Sequence, residues 1–227
     1  MKQLILDISP IPNPSLDNFV AGRNAELLQL LHIMADLSSS ERFVYLWGEA
    51  ASGKSHLLQA VAGAVAAHGA NAIYLDAPTQ ADLAPDPLEG YVVVVDNVDR
   101  LDEDAQIALF NLYNRTREGQ GMLLVSGPCA PAQLGLRQDL VTRLGWGLVY
   151  QVHGLSDEEK VEALKTHAKE RGFELAREVA DYLLRHWRRD MPSLLAMLDA
   201  LDRYSLQTKR PVTLPLLRQV LQPDSPV

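Results

Sequence analysis

A chain of 227 residues, 47% of them hydrophobic, is long enough to bury a substantial core as one domain, or as one domain with a small appendage. Its formal net charge of -8 argues against broad binding along a nucleic-acid backbone, which requires a basic face, and no apolar run approaches the roughly 20 residues of a membrane span. The opening MKQLILDISPIPNPS turns acidic and proline-rich too early for a secretory leader, and the single cysteine, Cys129, permits no internal disulfide. A cytoplasmic protein is expected.

The first apolar stretch is QLILDI, Gln3 to Ile8. Its alternation reads either as an edge strand or as a docking peptide, with the Gln3 amide for a polar subsite and Leu4, Leu6 and Ile8 for apolar pockets. PIPNPS then breaks any helix, which sets off residues 1–14 as a flexible segment. Up to about Val152 apolar strands alternate with amphipathic stretches, the pattern of a parallel α/β sheet. Strands are expected at Phe43 to Trp47, Ala72 to Leu75, Tyr91 to Val95, Met122 to Ser126 and Leu148 to Val152, with helices from about Lys54, Glu103 and Asp139. From Ser156 the pattern is helical only. SDEEKVEALKTHAKERG opens with a capping box, Ser156 to Glu159, and stops at Gly172. Further helices are expected at Arg177 to Arg188, Ser193 to Leu206 and Pro215 to Leu221. The organisation implied is an α/β base over residues 15–153 and a small helical lid over residues 154–227.

The strand FVYLW runs directly into GEAASGKS, Gly48 to Ser55, and an apolar-periodic helix follows. Strand, loop and helix arrive in the order that G-x-x-x-x-G-K-[ST] needs to hold a nucleotide. Gly48 and Gly53 let the backbone curl so that its N–H groups face phosphate, Lys54 reaches the terminal phosphates, and Ser55 ligates magnesium. Ala51, Ser52 and His56 complete the lining. Asp96 closes the apolar run YVVVVD, where a carboxylate orders the magnesium in such folds. Asn97 follows where many ATPases carry a carboxylate base, and a neutral amide cannot take a proton from attacking water. Binding is expected to outlast hydrolysis.

Two further stretches carry a family resemblance. SLDNFVAGRNAEL, Ser15 to Leu27, resembles the segment ahead of the first strand in the DnaA family of bacterial replication initiators, where it helps frame the adenine pocket. That places Val20 among the nucleotide-binding residues. TRLGWGLVYQV, Thr142 to Val152, resembles the box VII region of the family, in which an arginine projects from one subunit toward the nucleotide of its neighbour. Arg143 takes that place. The resemblance implies an AAA+ module over roughly Leu16 to Leu221, a P-loop base with a five-stranded parallel sheet plus an all-helical lid, binding ADP or ATP with Mg2+. It also puts Ser126 at the sensor-1 position as a hydroxyl donor.

Within this family the chain resembles the Hda-type regulators more than the initiators. The sequence stops just after the expected lid, so no helix-turn-helix domain is expected. The interval DAPTQADLAPDPLEG carries Asp76, Asp82, Asp86 and Glu89 and no Lys or Arg, so it would repel phosphates. QLILDI is similar to the peptide by which such regulators dock on the sliding clamp. The role implied is regulatory inactivation of DnaA. Bound to the polymerase III clamp (β subunit) on DNA, and so nucleoid-associated, the protein would present Arg143 to ATP held by DnaA and prevent re-initiation of replication. No direct sequence-specific DNA contact and only weak intrinsic ATPase are expected; self-association stays open. A self-sufficient AAA+ ATPase such as a helicase loader, or a clamp-tethered scaffold with a vestigial nucleotide site, are the alternatives. One departure is Pro192, standing where relatives carry a sensor-2 arginine, with Arg188 and Arg189 just before it.

Overall fold

The computed structural model describes residues 13–83, 91–119 and 121–221. The docking-peptide residues Gln3, Leu4, Leu6 and Ile8 lie outside the described residues, as do Asp86 and Glu89. The chain divides into two compact units between Gly154 and Leu155.

The first unit, from Asn13 to Gly154, is built on one parallel sheet of five strands: β1 (Phe43–Trp47), β2 (Ala72–Asp76), β3 (Val92–Asp96), β4 (Met122–Gly127) and β5 (Leu148–Gln151), in the order β2-β3-β4-β1-β5. Every residue of β3 and β4 is buried, as expected for a parallel strand covered on both faces. Successive side chains point to opposite faces, and the two cores divide accordingly. Val44 and Leu46 of β1, Val92 and Val94 of β3 and Leu124 of β4 pack with Leu27, Leu31 and Met34 of α1 (Ala25–Ala35) and Leu57, Leu58 and Val61 of α2 (Lys54–Ala67). Tyr45, Val93, Val95, Leu123 and Val125 pack on the other face, with Leu109 and Leu112 of α4 (Glu103–Glu118) and Leu140 and Leu144 of α5 (Gln138–Leu144). A short α3 (Gln80–Leu83) follows β2.

After β1 the chain crosses through α2 and returns as β2, two strands beyond β1's neighbour β4. This reversal sets the carboxyl ends of β1, β3 and β4 side by side, the place where open α/β sheets bind ligands. Leu46 pairs in register with Ser126, and Asp76 with Asp96.

The described residues from Leu155 form α6 (Asp157–Glu170), α7 (Arg177–His186), α8 (Met191–Thr208) and α9 (Leu214–Leu221) around a core of Leu164, Leu183, Leu194, Leu198 and Leu217. The Ser156–Glu159 capping box forms with both reciprocal bonds, and Gly172, at φ +86, ends the turn after α6. Among the helix limits that differ from the sequence expectation, two have a clear local cause. α7 stops at His186, because Trp187 is extended. α8 starts at Met191, because Asp190 caps it by accepting from the Ser193 N–H at 3.0 Å, and Pro192 fits the first turn. Among the described residues no helix is long and apolar enough to cross a membrane.

Candidate functional site

The loop between β1 and α2 is shaped by its two glycines. A Cβ on Gly48 would lie 2.4 Å from the Val152 carbonyl oxygen, and one on Gly53 would lie 2.7 Å from the Phe19 ring. Gly53 also has φ +104, which a side chain would strain. Ala51, at φ 60, is a further left-handed residue in the loop. Helix α2 begins at Lys54 and its first internal acceptor is the Gly53 carbonyl, bonded by the Leu57 N–H at 3.0 Å. The N–H groups of Lys54, Ser55 and His56 therefore have no acceptor inside the helix, the arrangement that favours an anion at its start.

Lys54 Nζ donates to the carbonyls of Gly48 at 2.7 Å and Glu49 at 2.9 Å, so the ammonium lies along the loop. Burial pushes its pKa below the usual lysine value, opposed by the nearby carboxylates of Asp96 and Asp99. Ser55 is exposed at the helix start. Ser52 Oγ is buried and has no hydrogen-bond partner among the described residues.

Asp96, at the end of β3, is fully buried. One carboxylate oxygen accepts from Tyr74 Oη at 2.8 Å; the other accepts from the Asn97 N–H at 3.1 Å and from the Ser126 hydroxyl. Burial, with the Asp96 and Asp76 carboxylates adding to it, pushes the Tyr74 phenol up to about 12, so it remains a donor at neutral pH. No group of three or more His, Cys, Asp or Glu side chains among the described residues forms a metal site. The donor set nonetheless suits a magnesium ion that brings its own phosphate oxygens, needing from the protein only one or two oxygens such as Ser55 Oγ and Asp96.

Asn97 turns the chain left-handed, at φ 56 and ψ 50, a conformation that asparagine tolerates. Its Nδ2 donates to Asp76 Oδ1 at 2.7 Å. His56 Nε2 lies 3.0 Å from the Ser15 carbonyl oxygen and its ring 5.6 Å from that of Phe19. The histidine thus fastens the preceding segment to the loop, and burial lowers its pKa. Val20, half-buried, follows Phe19 in that segment.

The structure therefore brings Gly48 to His56, Asp96, Asn97 and Ser126 to one end of the sheet. Arg143 has a different set of neighbours. Its guanidinium lies 4.0 Å from the centre of the Trp146 ring, 5.4 Å from Phe110 and 6.0 Å from Tyr113, and no carboxylate among the described residues pairs with it. Trp146 is 56% exposed, so the stack sits at the surface. By contrast, Arg137 is engaged by Asp139 at 3.0 Å and Glu103 at 3.6 Å. Arg188 and Arg189 are held by Asp190 and Asp157 within the lid unit. Sequence reasoning passed over Tyr74 and Phe19; Tyr74 lies in the apolar run of β2, and nothing local marked its partner.

Residues 157–221 match the family described as "Hda, lid domain". The fold is similar to AMPPCP-bound DnaA from Aquifex aeolicus (TM-score 0.66, 22% identity, 87% of this chain and 70% of that one). It is also similar to domain III of Thermotoga maritima DnaA (TM-score 0.69, 19% identity, 95% and 100% covered) and to a point mutant of Thermotoga maritima RuvB (TM-score 0.64, 19% identity, 92% and 72% covered). With the parallel sheet, the P-loop and this lid match together, the chain has an α/β AAA+ fold like that of these DnaA structures, carrying a lid similar to the Hda lid domain.

Proposed function

We propose that this protein binds ADP or ATP and serves as a regulatory inactivator of DnaA: tethered to the sliding clamp on DNA, it accelerates hydrolysis of ATP held by DnaA and so suppresses re-initiation of replication. The observation that carries this reading is Arg143, stacked on an exposed tryptophan, paired with no described carboxylate and making none of its ring contacts with its own phosphate loop. A guanidinium so placed is available to a second molecule. The Hda lid match and the AMPPCP-bound DnaA likeness favour an adenine nucleotide and a replication role.

In this reading Lys54 moves from the loop carbonyls to the phosphates, and the α2 N-terminus supplies backbone donors. Ser55 and Asp96 would hold magnesium, which neutralises charge on the phosphate oxygens when bound. Ser126 and Tyr74 donate to the two Asp96 carboxylate oxygens and keep the group aimed. Asn97 cannot accept the proton of a water nucleophile, so the ligand is retained. On a partner's nucleotide, Arg143 places fixed positive charge against oxygens that gain negative charge as the terminal phosphoryl group departs.

Two measurements test this. Purified protein should bind ADP and hydrolyse ATP far more slowly than roughly 1 per second, the low end of ordinary enzymes; faster turnover without partners would favour the self-sufficient ATPase, and no nucleotide binding the scaffold. Gln3→Ala with Leu4→Ala should abolish clamp binding while leaving the melting temperature and ADP affinity unchanged, because a tethered peptide adds little to a folded core. A large fall in melting temperature would instead make QLILDI a strand of the sheet.

A further inference from the structure

The residue at position 97 is tied to a neighbour whose importance no motif signals. β2 and β3 end in register at Asp76 and Asp96, so two carboxylates stand on adjacent strand ends. Both strands then turn left-handed in the same way, at Ala77 (φ 43) and Asn97 (φ 56). The Ala77 N–H donates to the Asp96 carbonyl at 3.0 Å, and Asn97 Nδ2 donates to Asp76 Oδ1 at 2.7 Å. Left-handed non-glycine residues are costly and gather where local geometry is functional.

We propose that Asp76 is the positioning residue that dictates a neutral donor at 97, and so fixes this nucleotide site for retention rather than turnover. The inference rests on the nucleotide reading of the P-loop and deepens it. A carboxylate cannot donate a hydrogen bond. At position 97 it would face Asp76 across the same short gap, with the buried Asp96 one residue away and Asp99 just beyond. Lys54, on whose ammonium the Asp96 and Asp99 carboxylates act, is occupied by the loop carbonyls. The amide resolves the conflict: its Nδ2 donates to Asp76. The pair is thus a donor–acceptor couple whose two halves can be exchanged.

The exchange is the test. Asn97→Asp alone sets two carboxylates against each other and should lower the melting temperature of the nucleotide-free protein by about 2–4 °C. Asp76→Asn keeps an acceptor for the Asn97 amide and should stay within about 1 °C of wild type, since the bond persists. The exchanged pair, Asp76→Asn with Asn97→Asp, rebuilds the bond with the donor on β2. It should recover the melting temperature of Asp76→Asn, bind ADP within about twofold of wild type, and raise ATP turnover by roughly 10²-fold, the lower range for general-base catalysis. Asn97→Asp alone should show no such gain. A non-additive cycle in melting temperature, with turnover gained only in the exchanged pair, supports the proposal. Equal melting temperatures for Asn97→Asp and wild type, or turnover gained without the change at Asp76, overturns it. Failure of wild type to bind ADP overturns the nucleotide reading itself, and is seen by calorimetry independently of the melts.

Discussion

Replacing Arg143 with alanine is expected to abolish acceleration of ATP hydrolysis on DnaA while leaving the fold, ADP binding and clamp binding intact. The guanidinium stacks on Trp146 at the surface and pairs with no described carboxylate, so its removal strands no buried charge. An arginine acting in trans is worth roughly 10³ to 10⁵ in rate in GTPases, and loss should fall on rate rather than on binding. Arg143→Lys should recover little, because a point charge lacks the planar fork and stacks poorly on an indole. Arg137→Ala serves as the control. That side chain is already engaged by Asp139 and Glu103, and its loss should leave the stimulation near wild type. Single-turnover hydrolysis of DnaA-bound ATP, with DNA-loaded clamp in excess, reads all three variants.

The second large effect is expected at Lys54. Lys54→Ala should weaken ADP binding by roughly 10- to 100-fold, the equivalent of one hydrogen bond to a charged group. The melting temperature of the nucleotide-free protein should change little, because the bonds lost are to two loop carbonyls beside solvent. Calorimetric titration with ADP and magnesium checks this. Unchanged affinity would mean that the loop does not hold the phosphates through this side chain.

The strands were legible because their apolar runs are short and alternate with amphipathic stretches; β1 and the start of α2 at Lys54 fall where the pattern places them. Helix α1 was not, although Leu27, Leu31 and Met34 recur at helical spacing. Its N-cap residue Asn24 makes no side-chain cap. Instead its amide exchanges two 2.8 Å bonds with the backbone of His153, far along the chain, so the local start signal is missing. Asn97 shows the same limit more sharply. Its neutrality was plain in the sequence and was read as an absence, the lack of a base. The bond to Asp76 became visible only when the sheet order put β2 beside β3. Likewise box VII singled out Arg143, but Phe110 and Tyr113, which flank it from α4, carry no motif. Motif residues are set by chemistry and survive in one dimension; their supports are set by tertiary neighbours and do not.

The most direct test of the proposed role is hydrolysis of ATP pre-loaded on DnaA, followed with clamp on DNA, with and without this protein. Acceleration of at least roughly 10³-fold, consistent with a trans arginine, is expected only when protein and DNA-loaded clamp are both present, and is lost with Arg143→Ala. Unchanged hydrolysis with every component at saturation, or full stimulation by Arg143→Ala, would contradict it.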